Sequence, residues 1–275
     1  MTKGMAIRTS ILGRLALMAA TFISLVLCGG STLADAHITS GAHPAAGASL
    51  ASDTVHDLAP GPVYSVFPGS GHALVPAPVH VAFLGDSYTY GVGASVRSDG
   101  YASLVAQAER WSADVIGLPG SGYVRVAEKD GLRISAGLAS VIAARPQVVI
   151  VECGRNDVDE GIPLRRVEPN ALTDLQALRA GLPHATIVVL GPVWLSGFPG
   201  RRVFAVRHAV HAAQRQIPGS LWIDPVGQHW FTGRLGARTG DDATMINYAV
   251  DHPDDAGYRH IARRLERDLH LLGVH

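Results

Sequence analysis

The chain has 275 residues, of which 47% are hydrophobic and 17% are charged. A chain of this length and apolar content can bury one sizeable core, so a single folded domain is the expectation. Basic and acidic residues number 23 each, which excludes the basic surface typical of nucleic-acid binding and the acidic excess typical of a solvated tail. No nucleic-acid partner is therefore expected.

Residues 1–36 have the pattern of an export signal. Three basic residues precede an uncharged run over residues 15–34, and a small-x-small cleavage site ends at Ala36. We therefore expect a secreted or cell-surface protein. Two alternatives stay open: residues 15–34 form a retained membrane anchor, because the run approaches the about 20 residues that a span needs, or Cys28 carries a lipid.

Residues 37–78 are rich in Ala, Gly, Pro, Ser and His and show little periodicity. This composition predicts a poorly ordered linker. The histidines in it have no spacing typical of metal ligands, so no metal site is predicted there.

After the linker, short apolar runs alternate with helical patterns. The runs that predict strands cover residues 79–84, 113–118, 147–151, 186–190 and 221–223. Apolar residues recur at helical spacing over residues 101–111, 171–182 and 258–272, and Asn170 is placed to cap the second of these helices. This alternation predicts one α/β domain over residues 79–275, with three α/β/α layers and a central parallel sheet of about five strands.

The residues that follow the first three predicted strands include groups suited to nucleophilic catalysis by a serine. In doubly wound sheets ligands bind beyond the carboxyl ends of the strands, near the switch point in strand order. Ser87, Gly120, Gly122 and Asn156 fall at these ends. A serine nucleophile needs a base and hydrogen-bond donors for the oxyanion. His252, just before the last helix, is the candidate base, because the pKa of histidine, about 6.5, suits proton exchange near neutrality.

Four motifs carry a family resemblance: "GDSYTYG", "GLPGSGY", "GRND" and "HPDDAG", in this order. They resemble the four blocks of the SGNH (GDSL) hydrolase superfamily. The resemblance implies a flavodoxin-like α/β/α hydrolase that uses no metal and no organic cofactor, with ester hydrolysis as the usual reaction. It also implies Ser87 as the nucleophile, Asn156 as an oxyanion donor and His252 as the base.

The second block departs from the family pattern, because the asparagine that usually precedes its glycine is missing. The oxyanion hole is predicted to consist of the Ser87 N–H, the Gly120 N–H and the Asn156 amide. Gly122 is the alternative glycine, although it is expected to serve the turn.

The last block also departs from the pattern, because Ala249 occupies the position of the acid that usually lies three residues before the histidine. Asp251 is kept as a candidate third catalytic residue, but neighbouring side chains on an extended segment point apart. Asp241, Asp242 or a backbone carbonyl are the other groups that could orient His252, the last giving a Ser-His dyad.

Together these patterns predict a secreted SGNH/GDSL-type serine esterase that hydrolyses carboxylic esters through an acyl-enzyme. The expected substrate is a small-molecule, glycan or lipid ester, and the expected state is a monomer. Two alternatives remain: an O-acyltransferase acting on a cell-surface glycan, and a non-catalytic carbohydrate-binding module on the same fold.

Overall fold

The computed structural model describes residues 63–66 and 77–275. The predicted export segment and most of the predicted linker lie outside the described residues. The strands are β1 (Val63–Val66), β2 (His80–Gly85), β3 (Ser112–Gly117), β4 (Val148–Glu152), β5 (Thr186–Leu190), β6 (Leu221–Ile223), β7 (Ile246–Asn247) and β8 (His252–Pro253). The α-helices are α1 (Ser87–Tyr90), α2 (Tyr101–Ala108), α3 (Leu138–Ala144), α4 (Val167–Gly181), α5 (Arg201–Gln214) and α6 (Asp255–Leu271).

The main sheet has the strand order β1-β3-β2-β4-β5-β6. Strands β2 to β6 are all parallel and are the five strands predicted from the sequence. The chain first winds from β2 to β3 and then in the opposite direction through β4 and β5, so the switch point lies at the carboxyl end of β2. The predicted three-layer α/β/α architecture is confirmed.

The sheet contains one strand more than predicted. Strand β1 pairs antiparallel with β3, although the sequence placed these residues in the linker. The expectation of poor order is therefore wrong for Val63–Val66. A four-residue edge strand has too little local pattern to be recognised, because its backbone hydrogen bonds come from a partner about 50 residues away.

The two faces of the sheet are covered by different helices. In β2, Val81 and Phe83 face a core shared with α2 and α6, whereas Ala82 and Leu84 face a second core shared with α3, α4 and α5. This alternation follows from the two-residue period of a strand. Because both faces are buried, the parallel strands are continuously apolar, as the sequence indicated.

Two helices differ from the prediction. Helix α4 starts at Val167, so Asn170 lies inside it rather than capping it, and its Nδ2 donates to the carbonyl of Arg166 at 2.8 Å. Helix α5 was not predicted, although its buried Val203, Val206 and Val210 have helical spacing. No helix in the described part of the chain is both long and apolar enough to cross a membrane.

Candidate active site

Ser87 lies at the turn between β2 and α1, at the switch point of the sheet. The Asp86 carboxylate accepts a hydrogen bond from the Tyr88 N–H at 2.9 Å and so caps α1. The turn is tightly packed: a Cβ atom at Gly85 would lie 1.9 Å from Thr89 Oγ1 and 2.7 Å from the carbonyl oxygen of Glu152. Only glycine fits there, and this close approach holds Ser87 at the end of the strand.

The imidazole of His252 contacts the hydroxyl of Ser87. Nε2 lies 2.8 Å from Oγ, although the two residues are 165 positions apart. The other ring nitrogen, Nδ1, hydrogen bonds to the carbonyl oxygen of Val250. Because a carbonyl can only accept, Nδ1 carries the proton, and Nε2 is free to accept the proton of Ser87. This is the arrangement of a nucleophile and its general base.

The predicted role of Asp251 as a third catalytic residue needs correction. The structure places the Val250 carbonyl, not a carboxylate, on Nδ1 of His252. Asp251 is exposed and adopts a left-handed backbone conformation with φ of 53°. The other two candidate acids are used elsewhere: Asp241 accepts from Thr232, and Asp242 accepts from backbone N–H groups of the same loop. Of the predicted alternatives, the geometry agrees with the dyad oriented by a backbone carbonyl.

We expect Asp251→Asn to change kcat/KM by less than about threefold. Asparagine tolerates the left-handed conformation, so the backbone should be preserved while the charge is removed. In a true triad the same substitution of the acid costs about 10⁴-fold. Initial rates with a chromogenic ester measure the change in kcat/KM. A loss of more than about 100-fold would show that Asp251 takes part in catalysis.

The two candidate oxyanion glycines differ in what their N–H groups do. The N–H of Gly122 donates to the carbonyl of Arg125 at 2.9 Å, and a Cβ atom at Gly122 would lie 2.6 Å from the Asp157 carboxylate. Gly122 is thus committed to the turn. The N–H of Gly120 has no acceptor in the described part of the chain. The N–H of Gly120 is thus available to a ligand, whereas that of Gly122 is not, and Gly120 stays the predicted donor.

Asn156 lies close to Ser87 but has its amide hydrogens engaged. Nδ2 donates to Asp86 Oδ2 at 3.0 Å and to the Ser121 carbonyl at 2.8 Å. Asn156 therefore links the loops that follow β2 and β3. Its predicted role as an oxyanion donor requires that one of these two bonds be shared or exchanged when substrate binds.

Asp157 organises the loop that contains Gly120 and Gly122. It is buried, and its carboxylate accepts hydrogen bonds from three successive backbone N–H groups, those of Tyr123, Val124 and Arg125, at 2.7, 2.9 and 2.8 Å. These bonds satisfy donors that would otherwise be unpaired. Sequence reasoning placed Asp157 in the third motif but did not predict this contact across the switch point.

A buried pair of carboxyl groups lies beneath Ser87. Asp86 and Glu152 are both fully buried, and their charges interact. Burial raises the pKa of Asp86 to about 6 and raises the pKa of Glu152 well above its usual range. Burial and the neighbouring charge of Asp86 both favour the protonated form of Glu152. The sequence signal for Glu152 was an acid ending an otherwise apolar strand, and it was missed.

An arginine and two aromatic rings line the site on the side of β5. The Arg155 guanidinium carbon lies 5.3 Å from the centre of the Tyr88 ring and 5.7 Å from that of Trp194. The Tyr88 ring in turn packs edge-on against His252, with centroids 5.3 Å apart. Burial and, to a smaller extent, the positive charge of Arg155 lower the pKa of His252. Both effects favour the neutral imidazole that a general base requires.

Comparison with known proteins agrees with this geometry. Residues 83–260 match the GDSL-like Lipase/Acylhydrolase family. A GDSL lipase of Mycobacterium tuberculosis is 28% identical over 194 residues, covering 67% of this chain and 79% of that protein. A doubly wound sheet with a serine–histidine contact at its switch point is the arrangement of a serine hydrolase. The chain belongs to the GDSL-like lipase/acylhydrolase family, within the SGNH hydrolase superfamily.

Solved structures of the same fold include enzymes of two kinds. A family two carbohydrate esterase from Clostridium thermocellum, in complex with cellohexaose, superposes with a TM-score of 0.55 at 20% identity, covering 74% of this chain and 67% of that one. The salicylyl-acyltransferase SsfX3 of a tetracycline biosynthetic pathway has a TM-score of 0.53 at 18% identity and covers 74% and 56% of the two chains. At these identities the likeness establishes the fold.

Proposed function

We propose that the protein is an exported serine esterase that hydrolyses carboxylic esters through a Ser87 acyl-enzyme. The observation that carries the proposal is the contact of 2.8 Å between His252 Nε2 and Ser87 Oγ, with Nδ1 on the Val250 carbonyl. This tautomer can only accept the serine proton, so the pair is ready to act as base and nucleophile. Export is supported by the sequence pattern of residues 1–36.

In the proposed reaction Ser87 Oγ attacks the ester carbonyl while its proton passes to His252 Nε2. The N–H groups of Ser87 and Gly120 are the donors available to the resulting oxyanion, and Asn156 joins them when it exchanges one of its present bonds. His252 then protonates the leaving alcohol, which breaks the ester bond. It next removes a proton from water, which hydrolyses the acyl-serine and restores the free enzyme.

The substrate class that we propose is an ester of a small molecule, a glycan or a lipid. Membership of a lipase and acylhydrolase family supports an acyl ester, and a carbohydrate esterase among the fold relatives supports testing acetylated glycans. The direct test is treatment with a fluorophosphonate, followed by mass spectrometry of the labelled peptide. We expect a single adduct on Ser87 and turnover of a chromogenic acetate or butyrate ester. A protein that binds glycans but neither reacts nor turns over would instead be a non-catalytic module.

The pH profile provides a further prediction. Because only neutral His252 accepts the serine proton, kcat/KM falls as pH drops through the pKa of His252 in the free enzyme. Burial lowers that pKa, so we expect the acid limb to have its midpoint below about 6.5, the ordinary value for histidine. Initial rates in constant-ionic-strength buffers between about pH 4 and pH 8 measure it. A midpoint above 7 contradicts the proposed environment of the ring.

A further inference from the structure

Arg155 is unusual among the arginines that the structure describes. Arg207 forms an ion pair with Asp224, and Arg202 donates to three backbone carbonyls. Within the described residues, no carboxylate lies within ion-pair distance of Arg155. Its buried Nε has no acceptor, as is also true of Arg179 and Arg264, but those two donate through Nη to backbone carbonyls. The neighbours of the Arg155 guanidinium are instead the Tyr88 hydroxyl and two aromatic rings. A partly buried cation without these partners is costly, and such unsatisfied groups in folded proteins call for an explanation.

The guanidinium of Arg155 lies next to the proposed nucleophile and base. It follows β4, between the loop after β2, which carries Ser87, and the loop after β5, which carries Trp194. Its guanidinium lies over the Tyr88 ring, which packs against His252. The rings of Tyr88 and Trp194 restrict the guanidinium through cation–π contacts. The charge is therefore held next to the Ser87–His252 pair, where part of an ester substrate must lie.

The chemistry of a guanidinium indicates what it would bind. Its planar fork of N–H donors matches the oxygens of a carboxylate, phosphate or sulfate, and charge-assisted hydrogen bonds of this kind are about twice as strong as neutral ones. Asp86 is a buried acid whose charge interacts with Arg155, but its oxygens accept from Tyr88 and Asn156. Among the described residues no carboxylate occupies the fork of Arg155, which can therefore bind an anionic ligand.

We propose that Arg155 is a specificity residue that binds an anionic group of the ester, so that the preferred substrates carry a carboxylate, phosphate or sulfate close to the scissile bond. This inference rests on the proposed esterase function and names the substrate class of the same site. The anionic group lies on the acyl part or on the alcohol part of the ester, and the two cases are separated by experiment.

The test compares anionic esters with neutral esters of the same shape. In the acyl arm, monoethyl succinate is compared with ethyl levulinate, and in the alcohol arm, acetylglycolate is compared with acetoxyacetone. In each pair a carboxylate replaces a methyl ketone. We expect wild type to prefer the anionic ester by about 10-fold or more in kcat/KM in one arm. Arg155→Gln should remove the preference, so that kcat/KM falls further for the anionic ester than for the neutral one.

Two further variants test whether the preference depends on the guanidinium of Arg155 or on positive charge in general. Arg155→Lys keeps the charge without the planar fork and should retain part of the preference. Arg215→Gln removes a positive charge from an exposed position at the C-terminus of α5 and should leave the preference unchanged. Equal rates on both esters of each pair in wild type would overturn the inference. So would an Arg155→Gln variant that loses activity equally on anionic and neutral esters, since Arg155 would then serve only as a counter-charge to Asp86.

A binding measurement separates this inference from the proposed function. In Ser87→Ala the esters cannot form an acyl-enzyme, so their binding can be followed by calorimetry. We expect the preferred anionic ester to bind more tightly than its neutral counterpart, and Arg155→Gln in that background to abolish the difference. If wild type hydrolyses no ester while this Arg155-dependent binding persists, the esterase proposal fails and the anion site stands. If hydrolysis proceeds and the binding difference is absent, the anion site fails alone.

Discussion

Replacing Ser87 by Ala, His252 by Ala, or both together is expected to lower kcat for a chromogenic ester by the same factor, on the order of 10⁴-fold or more. The reason is that the two side chains act as one unit. Without the hydroxyl there is no nucleophile for His252 to activate, and without the imidazole the hydroxyl stays protonated. Their contact of 2.8 Å is the structural basis of this coupling.

The measurement is kcat for the wild type, the two single variants and the double variant, with thermal unfolding to show that each is folded. His184→Ala is a suitable control, because His184 is exposed just before β5, at the opposite edge of the sheet from Ser87. It should retain full activity. A double variant much less active than either single variant would show that the two residues act independently, and Ser87→Ala with wild-type turnover would refute the nucleophile.

Gly85→Ala is expected to reduce the free energy of unfolding by at least about 2 kcal/mol and to lower activity with it. The added Cβ would lie 1.9 Å from Thr89 Oγ1, 2.6 Å from Thr89 Cβ and 2.7 Å from the carbonyl oxygen of Glu152. The Thr89 hydroxyl can be removed by substitution, but the Cβ of residue 89 remains in alanine, and the Glu152 carbonyl belongs to the neighbouring strand, in register with Gly85. The turn that carries Ser87 must therefore shift.

Urea unfolding of the single variant, and of Gly85→Ala combined with Thr89→Ala, separates the two sources of the clash. The double variant should recover only part of the lost stability, because the contacts with the Cβ of residue 89 and with the Glu152 carbonyl remain. Gly200→Ala is the control: nothing lies within 4 Å of a Cβ atom there, and we expect a change below about 1 kcal/mol. Unaltered stability of Gly85→Ala would mean that the turn is less tightly packed than the structure indicates.

The features that the sequence predicted are those specified by local pattern. Continuous apolar runs predicted the five parallel strands, because a strand buried on both faces has no polar positions. The apolar spacing near the end of the chain predicted α6, which runs from Asp255 to Leu271. Ser87, Gly120, Asn156 and His252 were predicted as the candidate site because parallel strands end at one edge of the sheet and because four motifs resemble a known family in order.

The features that the sequence could not predict depend on contacts between remote segments. Strand β1 exists through its pairing with β3, and Asn170 lost its expected capping role because α4 begins one turn earlier. In the site, the bonds of Asn156 to Asp86 and Ser121 join the loops that follow β2, β3 and β4. No local pattern in one loop encodes the position of the other two.

By itself, then, the sequence determined the fold class and which side chains could supply a nucleophile and a base. Only the tertiary structure decided that a carbonyl orients His252, that Gly122 belongs to a turn, and that Arg155 lies between two rings without an ion pair. The physical reason is that residue identity sets the available chemistry, whereas hydrogen-bond partners and the burial of charge depend on which distant backbone and side-chain atoms the folded chain brings within about 3 Å.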